Sequence, residues 1–277
     1  MDKINQLKWL QSIGVEYYLS TTNRQNKILI NYSMTEKKSP KHSTVATPQA
    51  MVTKSAAVTK SKATPIEPTK DNSKSPIELA RFLADSATDL AELKELVMNF
   101  DGCVLKKFAT KTVFADGNPQ SDIMLIGEAP GSNEDIEGIP FCGESGKLLD
   151  NILSSINISR KHNAYITNTV FWRPPANRQP TQEEVDICRP FVEKHIALVN
   201  PKLIILVGAV AATSLLGANS GISKIKQVYY PYANRYLTQP IQTTAIFHPA
   251  YLLRQPLQKK VMWYDLLKIE EFVLKLG

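Results

Sequence analysis

Three short stretches of this sequence gather residue types that can act on a substrate. GEAPGSNEDIEGIPFCG, from Gly127 to Gly143, sets Glu128, Glu134 and Asp135 among glycines and prolines. Asn168 precedes RPPANR, from Arg173 to Arg178, and HPAYLLR runs from His248 to Arg254. A carboxylate can take up a proton or place a water, an amide offers a donor and an acceptor, and an imidazole can donate or relay a proton near neutral pH. Taken singly, each has a plainer reading: glycine and proline turn the chain, a lone histidine more often packs than reacts, and an asparagine can satisfy backbone groups. Brought into one crevice, they make a functional site. The first stretch lacks the GxxxxGK(S/T) pattern of a phosphate-binding loop, which excludes a P-loop NTPase. Three acidic side chains also suit Mg²⁺, and a metal-dependent hydrolase stays open as the lesser reading.

Bringing these stretches together requires strands that end where they begin. Four short apolar runs meet that need: Ile123 to Ile126, Ala164 to Thr167, Leu203 to Val207 and Thr243 to Phe247. Each is short and mainly apolar, as befits a strand covered on both faces. Helical patterns lie between and after them, from Glu144 to Ile156, Thr181 to Val199, Ala209 to Leu216 and Leu257 to Leu276. Thr181 with Glu184 forms a capping box. The alternation predicts an α/β fold, a three-layer αβα sandwich around a four-stranded parallel sheet. Ligands of such sheets sit beyond the carboxyl ends of the strands, where the three polar stretches emerge.

The 277 residues carry a formal charge of +7. All of the excess lies in residues 1–75, with 12 Lys/Arg against 5 Asp/Glu. Residues 1–31 are read as a short amphipathic helical segment (Ile4, Leu7, Leu10, Ile13, Tyr17) able to dock on a protein partner. Residues 32–75, dominated by Ser, Thr, Lys, Ala and Pro, are read as a disordered basic linker attracted to nucleic-acid phosphate. Residues 76–277 are read as one catalytic domain, entered through helices that begin at Pro76. The N-terminus shows no secretory leader, and the uncharged run from Leu203 to Ile222 is broken by polar residues. A cytoplasmic, membrane-free protein is expected. Cys103, Cys142 and Cys188 are odd in number and widely spaced, so reduced thiols are expected.

The combination of GEAPG with GIPFCGESGKLL, YITN with RPPANRQP, and FHPAYLLRQP resembles the uracil-DNA glycosylase superfamily, most closely its family 4 branch, from Gly102 to near Leu267. The resemblance implies a monofunctional DNA repair glycosylase that flips uracil from DNA and hydrolyses its N-glycosidic bond. Phe141 would stack on the flipped base, and Asn168 would read its Watson–Crick edge. His248 would donate to O2 as negative charge develops there. Tyr251, Leu252, Leu253 and Arg254 are similar to the segment that fills the vacated stack. Glu128, Glu134 and Asn177 match positions that orient the water, the base and the loop, and Arg178 is placed with the DNA contacts.

Two departures from the family pattern stand out. Ala129 occupies the place of the water-activating carboxylate of the best-known branch, which makes Glu134 the candidate replacement and Asp135 the second choice. Family 4 also implies a 4Fe–4S cluster on four cysteines, and those positions here read Phe100, Cys103, Trp172 and Cys188. Two thiolates fall short of the four such a cluster takes, so no cofactor and no metal are expected. The partner is uracil-containing DNA, met by a monomer. A binding protein for uracil-containing or single-stranded DNA, with little turnover, is the alternative.

Overall fold

The four apolar runs become the central strands of a sheet in a computed structural model that describes residues 74–217 and 222–276 and two short strands near the N-terminus. The chain divides into two units: one is Glu16–Ser73, the other Met1–Val15 with Lys74–Gly277. In the first unit, β1 (Tyr18–Leu19) pairs antiparallel with β2 (Ile30–Asn31). Within the helical segment expected over residues 1–31, Tyr18–Leu19 and Ile30–Asn31 are instead strands, because side chains such as Tyr18, Leu19 and Ile30 suit a strand once a partner is at hand. The rest of that segment, and the linker up to Ser73, lie outside the described residues.

The second unit is built on six strands: β3 (Asp116–Gly117), β4 (Ile123–Gly127), β5 (Tyr165–Asn168), β6 (Leu203–Val207), β7 (Tyr230–Tyr232) and β8 (Ile241–Ile246). They lie in the order β3-β5-β4-β6-β8-β7. The inner four are parallel, while β3 and β7 add antiparallel edges. The expected four-stranded parallel sheet is thus a six-stranded mixed one. The two edges escaped the sequence reading because they are short and carry Gly117 and Pro231, residues that weaken strand signals and that edges tolerate. Every residue of β4, β5 and β6 is buried, as layers of helix on both faces require.

Nine helices occur among the described residues of this unit: α1 (Pro76–Ser86), α2 (Leu90–Asn99), α3 (Ser132–Glu137), α4 (Glu144–Ser154), α5 (Gln182–Val199), α6 (Ala209–Leu216), α7 (Ile222–Ile225), α8 (Pro249–Arg254) and α9 (Gln258–Val273). Ser75, Asp89 and Thr181 cap α1, α2 and α5 through their side-chain oxygens, and α1 and α2 pack on α5. None of the described helices is long and apolar enough to cross a membrane. From β4 the chain moves to one side, to β5, then returns past β4 to β6 and continues outward to β8. The direction therefore reverses between β4 and β6, which opens a crevice beyond their carboxyl ends.

Behind the sheet lies His195, wholly buried in α5, stacked on Phe114 at 4.4 Å and 3.0 Å from the Tyr165 hydroxyl. Burial lowers its pKa from 6.5 to about 3. The depressed folded value means that the unfolded chain binds a proton more readily. His195 therefore contributes fully above about pH 6.5 and loses its contribution as pH falls toward 3. Urea unfolding between pH 7 and 4 should show stability dropping by up to about 1.4 kcal/mol per pH unit on its account. His195→Asn should flatten that slope, and an unaltered slope in the variant would remove His195 from the explanation.

Candidate active site

A cavity of about 800 Å³ opens at the carboxyl ends of the parallel strands, between Glu128, Phe141, Asn168 and His248. Register explains the first contact. Asn168 ends β5 directly beside Gly127 at the end of β4. A Cβ on Gly127 would lie 2.4 Å from Asn168 Oδ1 and 2.5 Å from the Phe141 ring, so only glycine lets the amide and the ring close on this strand. Asn168 is 1% exposed, and its Oδ1 has no hydrogen-bond partner among the described residues. A buried acceptor left unpaired costs free energy, and this one stands ready for a donor.

His248 is the N-cap of α8, and its Nδ1 accepts the backbone N–H of Ala250 at 3.2 Å. That bond assigns the proton of the neutral ring to Nε2. Burial, with Arg254 adding to it, holds the ring pKa down at about 4, so at neutral pH the imidazole is uncharged. It faces Phe141 with 5.7 Å between ring centroids. The ring rests against Gly208, the residue after β6, whose φ is +98° and whose Cβ would lie 3.0 Å from His248 Cβ. Gly208 and the start of α6 form part of the cavity wall. The sequence reading missed this turn because its residues carry no reactive group.

The carboxylates divide by geometry. Glu128 lines the cavity, and burial pushes its carboxyl above the usual range. Glu134 also reaches the cavity wall, but its two oxygens accept three backbone N–H groups, from Gly131 at 3.1 Å, Cys142 at 3.0 Å and Gly143 at 2.9 Å. It ties the starts of α3 and α4 together, a use of carboxylate at helix N-termini that the dipoles favour. Asp135 turns away from the cavity: it accepts from the N–H of Thr110 at 2.7 Å and stands 4.0 Å from Arg173. The structure does not bring Asp135 to the site, because adjacent residues on a helix leave on different faces.

The second loop reaches across to the first. Asn177 Nδ2 donates to Ser132 Oγ at 3.3 Å, and its Oδ1 accepts from Arg173 Nε at 2.7 Å. Arg178 lines the cavity but forks onto Glu184 at 2.8 and 2.6 Å, which leaves it tied to α5. In α8 the four expected residues part ways. Tyr251 and Arg254 line the cavity, and Leu253 is 48% exposed beside it. Leu252 is fully buried, a core residue on the inner face of a helix whose outer face carries Leu253. Ala129 sits at the cavity wall.

Away from the cavity, Phe100, Cys103, Trp172 and Cys188 share a dry corner. Phe100 stacks on Trp172 at 6.4 Å and meets the edge of Phe191 at 5.1 Å. Trp172 Nε1 donates to Thr112 Oγ1 at 3.0 Å. Cys188 draws the Cys103 thiol beside it below the ordinary thiol range, while burial pushes Cys188 well above that range. Among the described residues no group of three or more His, Cys, Asp or Glu side chains is placed to hold a metal ion.

The parallel inner strands of the sheet thus end at one cavity that gathers a buried amide oxygen and a neutral imidazole, an α/β architecture with its site at the strand ends. Residues 114–267 match the family described as the Uracil DNA glycosylase superfamily, and the chain belongs to it. It is 36% identical over 189 residues to a type-4 uracil-DNA glycosylase of Sulfurisphaera tokodaii, covering 67% of this chain and 85% of that one. It is also 36% identical over 170 residues to the type-4 enzyme of Pyrobaculum aerophilum, covering 61% and 86%. A third, from Saccharolobus solfataricus, is 36% identical over 176 residues, covering 61% and 79%.

Proposed function

We propose that this chain is a monofunctional uracil-DNA glycosylase that removes uracil from DNA as a monomer and leaves an abasic site. The observation that carries the reading is the buried, unpaired Oδ1 of Asn168 beside the Phe141 ring and opposite His248. An extruded uracil fits these three: its face lies on Phe141, its N3–H donates to Asn168 Oδ1, and its O2 receives the Nε2–H of His248. A neutral donor is the suitable one, because it strengthens as charge grows on O2 and needs no proton from solvent. The N1–C1′ bond breaks toward a sugar cation and a uracil anion. Water adds its hydroxyl to C1′, and its proton passes through a base to solvent or to the leaving uracil.

Placing that water falls to Glu128. Its carboxylate makes no hydrogen bond to the described residues and the residue lines the cavity, whereas the oxygens of Glu134 are engaged by three backbone donors. Glu134 then acts on loop geometry, and Ala129 leaves room beside the base. Leu253 and Arg254, with Tyr251 and Asn177, form the side that meets DNA. The iron–sulfur cluster that the resemblance implies does not fit this chain. Its corner offers two thiols and two stacked aromatic rings, and the rings fill the space with close-packed apolar volume.

The test is incubation with an oligonucleotide containing one uracil, followed by alkali to break abasic sites, with an absorption spectrum and an iron assay of the same sample. Strand breakage without iron supports the reading; a shifted but uncut strand would replace the enzyme with a binding protein. The raised carboxyl of Glu128 adds a pH prediction. Release should fall as pH drops through a value above the ordinary carboxylate range, because only the ionised group can orient the water. Glu128→Gln should lower kcat by about 10²-fold and abolish that acid limb. An identical profile in the variant would return the role to another residue.

A further inference from the structure

We infer that Arg160 is a positioning residue that aims the Phe141 ring into the cavity. Phe141 has φ +51°, in the left-handed region that a bulky side chain rarely adopts. Such a conformation persists only where the surroundings over-determine it, and three contacts do so here. Arg160 Nη2 donates to the Phe141 carbonyl and Nη1 to the Pro140 carbonyl, each at 2.8 Å. Gly146 lies so close beneath that a Cβ there would meet the Phe141 carbonyl oxygen at 1.9 Å. Beyond Phe141, Glu134 takes the next two N–H groups.

The guanidinium is itself fixed from behind. Nη1 donates to Asp116 Oδ2 at 2.9 Å and Nε to Asp150 Oδ1 at 3.0 Å. Asp116 belongs to β3 and Asp150 to α4, so the sheet edge and a helix jointly hold the fork. The Arg160 side chain is only 14% exposed, where hydrogen bonds are less diluted by water. Arg160 does not line the cavity; its direct link to Phe141 is the loop it grips. Lysine cannot replace it, since a single ammonium lacks the planar fork that reaches two carbonyls and two carboxylates at once.

The inference rests on the proposed stacking of uracil on Phe141, and the experiment separates the two. Steady-state kcat and KM for a one-uracil oligonucleotide are measured for the wild type, Arg160→Lys, Arg160→Ala, Phe141→Ala and the double variant R160K/F141A, each below its melting transition. Arg160→Lys should lower kcat by about 10- to 100-fold, as misplacing a binding group by about 1 Å does. KM should change little, because the DNA-facing residues of α8 are untouched. In the Phe141→Ala background the same substitution should cost nothing further, since two residues acting through one ring are non-additive. Where Arg160→Ala does not fold, Arg160→Lys carries the test. A folded Arg160→Lys variant with wild-type kcat, or one whose loss repeats in full in the double variant, overturns the assignment of Arg160 alone. A fully active Phe141→Ala variant overturns the stacking reading and this inference together.

Discussion

Asn168→Leu is expected to lose about 10³- to 10⁴-fold in kcat/KM for uracil release and to melt no lower than the wild type. The two halves have one cause. Leucine keeps roughly the volume of the amide but removes its acceptor and its donors, and a site built to hydrogen-bond its substrate loses discrimination on that scale when the bond is removed. The same change also deletes a buried oxygen that has no partner among the described residues, an arrangement that costs about 1–3 kcal/mol. Parallel melting curves and single-turnover assays read both effects. A variant that melts well below the wild type would mean that Asn168 is structural, and one that still releases uracil at the wild-type rate would remove it from base recognition. The trade is the ordinary one between an active site and stability.

The second large effect belongs to His248. Its Nε2–H is fixed by the Ala250 N–H on the opposite nitrogen, so the donor is aimed before the base arrives. Removing one preorganised donor from developing charge typically costs about 10²- to 10³-fold in kcat, and His248→Ala should fall in that range with KM less affected. His248→Gln, which can still donate, should recover part of the loss. The pKa of about 4 gives this prediction a pH signature. Above about pH 5 the ring is neutral and its contribution constant; as pH falls through 4, a proton on Nδ1 would face the Ala250 N–H and break the cap. Equal rates for His248→Ala and the wild type would leave the oxyanion of the departing base without its assigned partner.

The central strands and the loops at their ends were legible in the sequence because each apolar run is short, continuous and followed by a glycine, an asparagine or a histidine-proline pair. β3 and β7 were not, since two or three residues carry no periodicity and edge pairing is decided by the neighbouring strand. Among the site residues, Asn168 and His248 could be placed because each directly follows or ends a strand. The ranking of Glu134 first and Asp135 second for the water could not foresee their geometry, as a carboxylate reads the same whether it faces a cavity, three amides or a distant loop. Leu252 and Leu253 adjoin in sequence, yet helical phase sends one to the core and the other to solvent. Arg160 gave no signal, because its partners lie between 10 and 44 residues away along the chain.

The dry corner formed by Phe100, Trp172, Phe191 and the two buried cysteines bears on temperature. Contacts between apolar rings have no coordination geometry to lose, and their strength depends on water rather than on a ligand bond. Their contribution weakens on cooling, so this corner should be held less firmly in the cold than near room temperature. On the proposed cluster-free reading, chelators and shortage of iron should leave it unchanged.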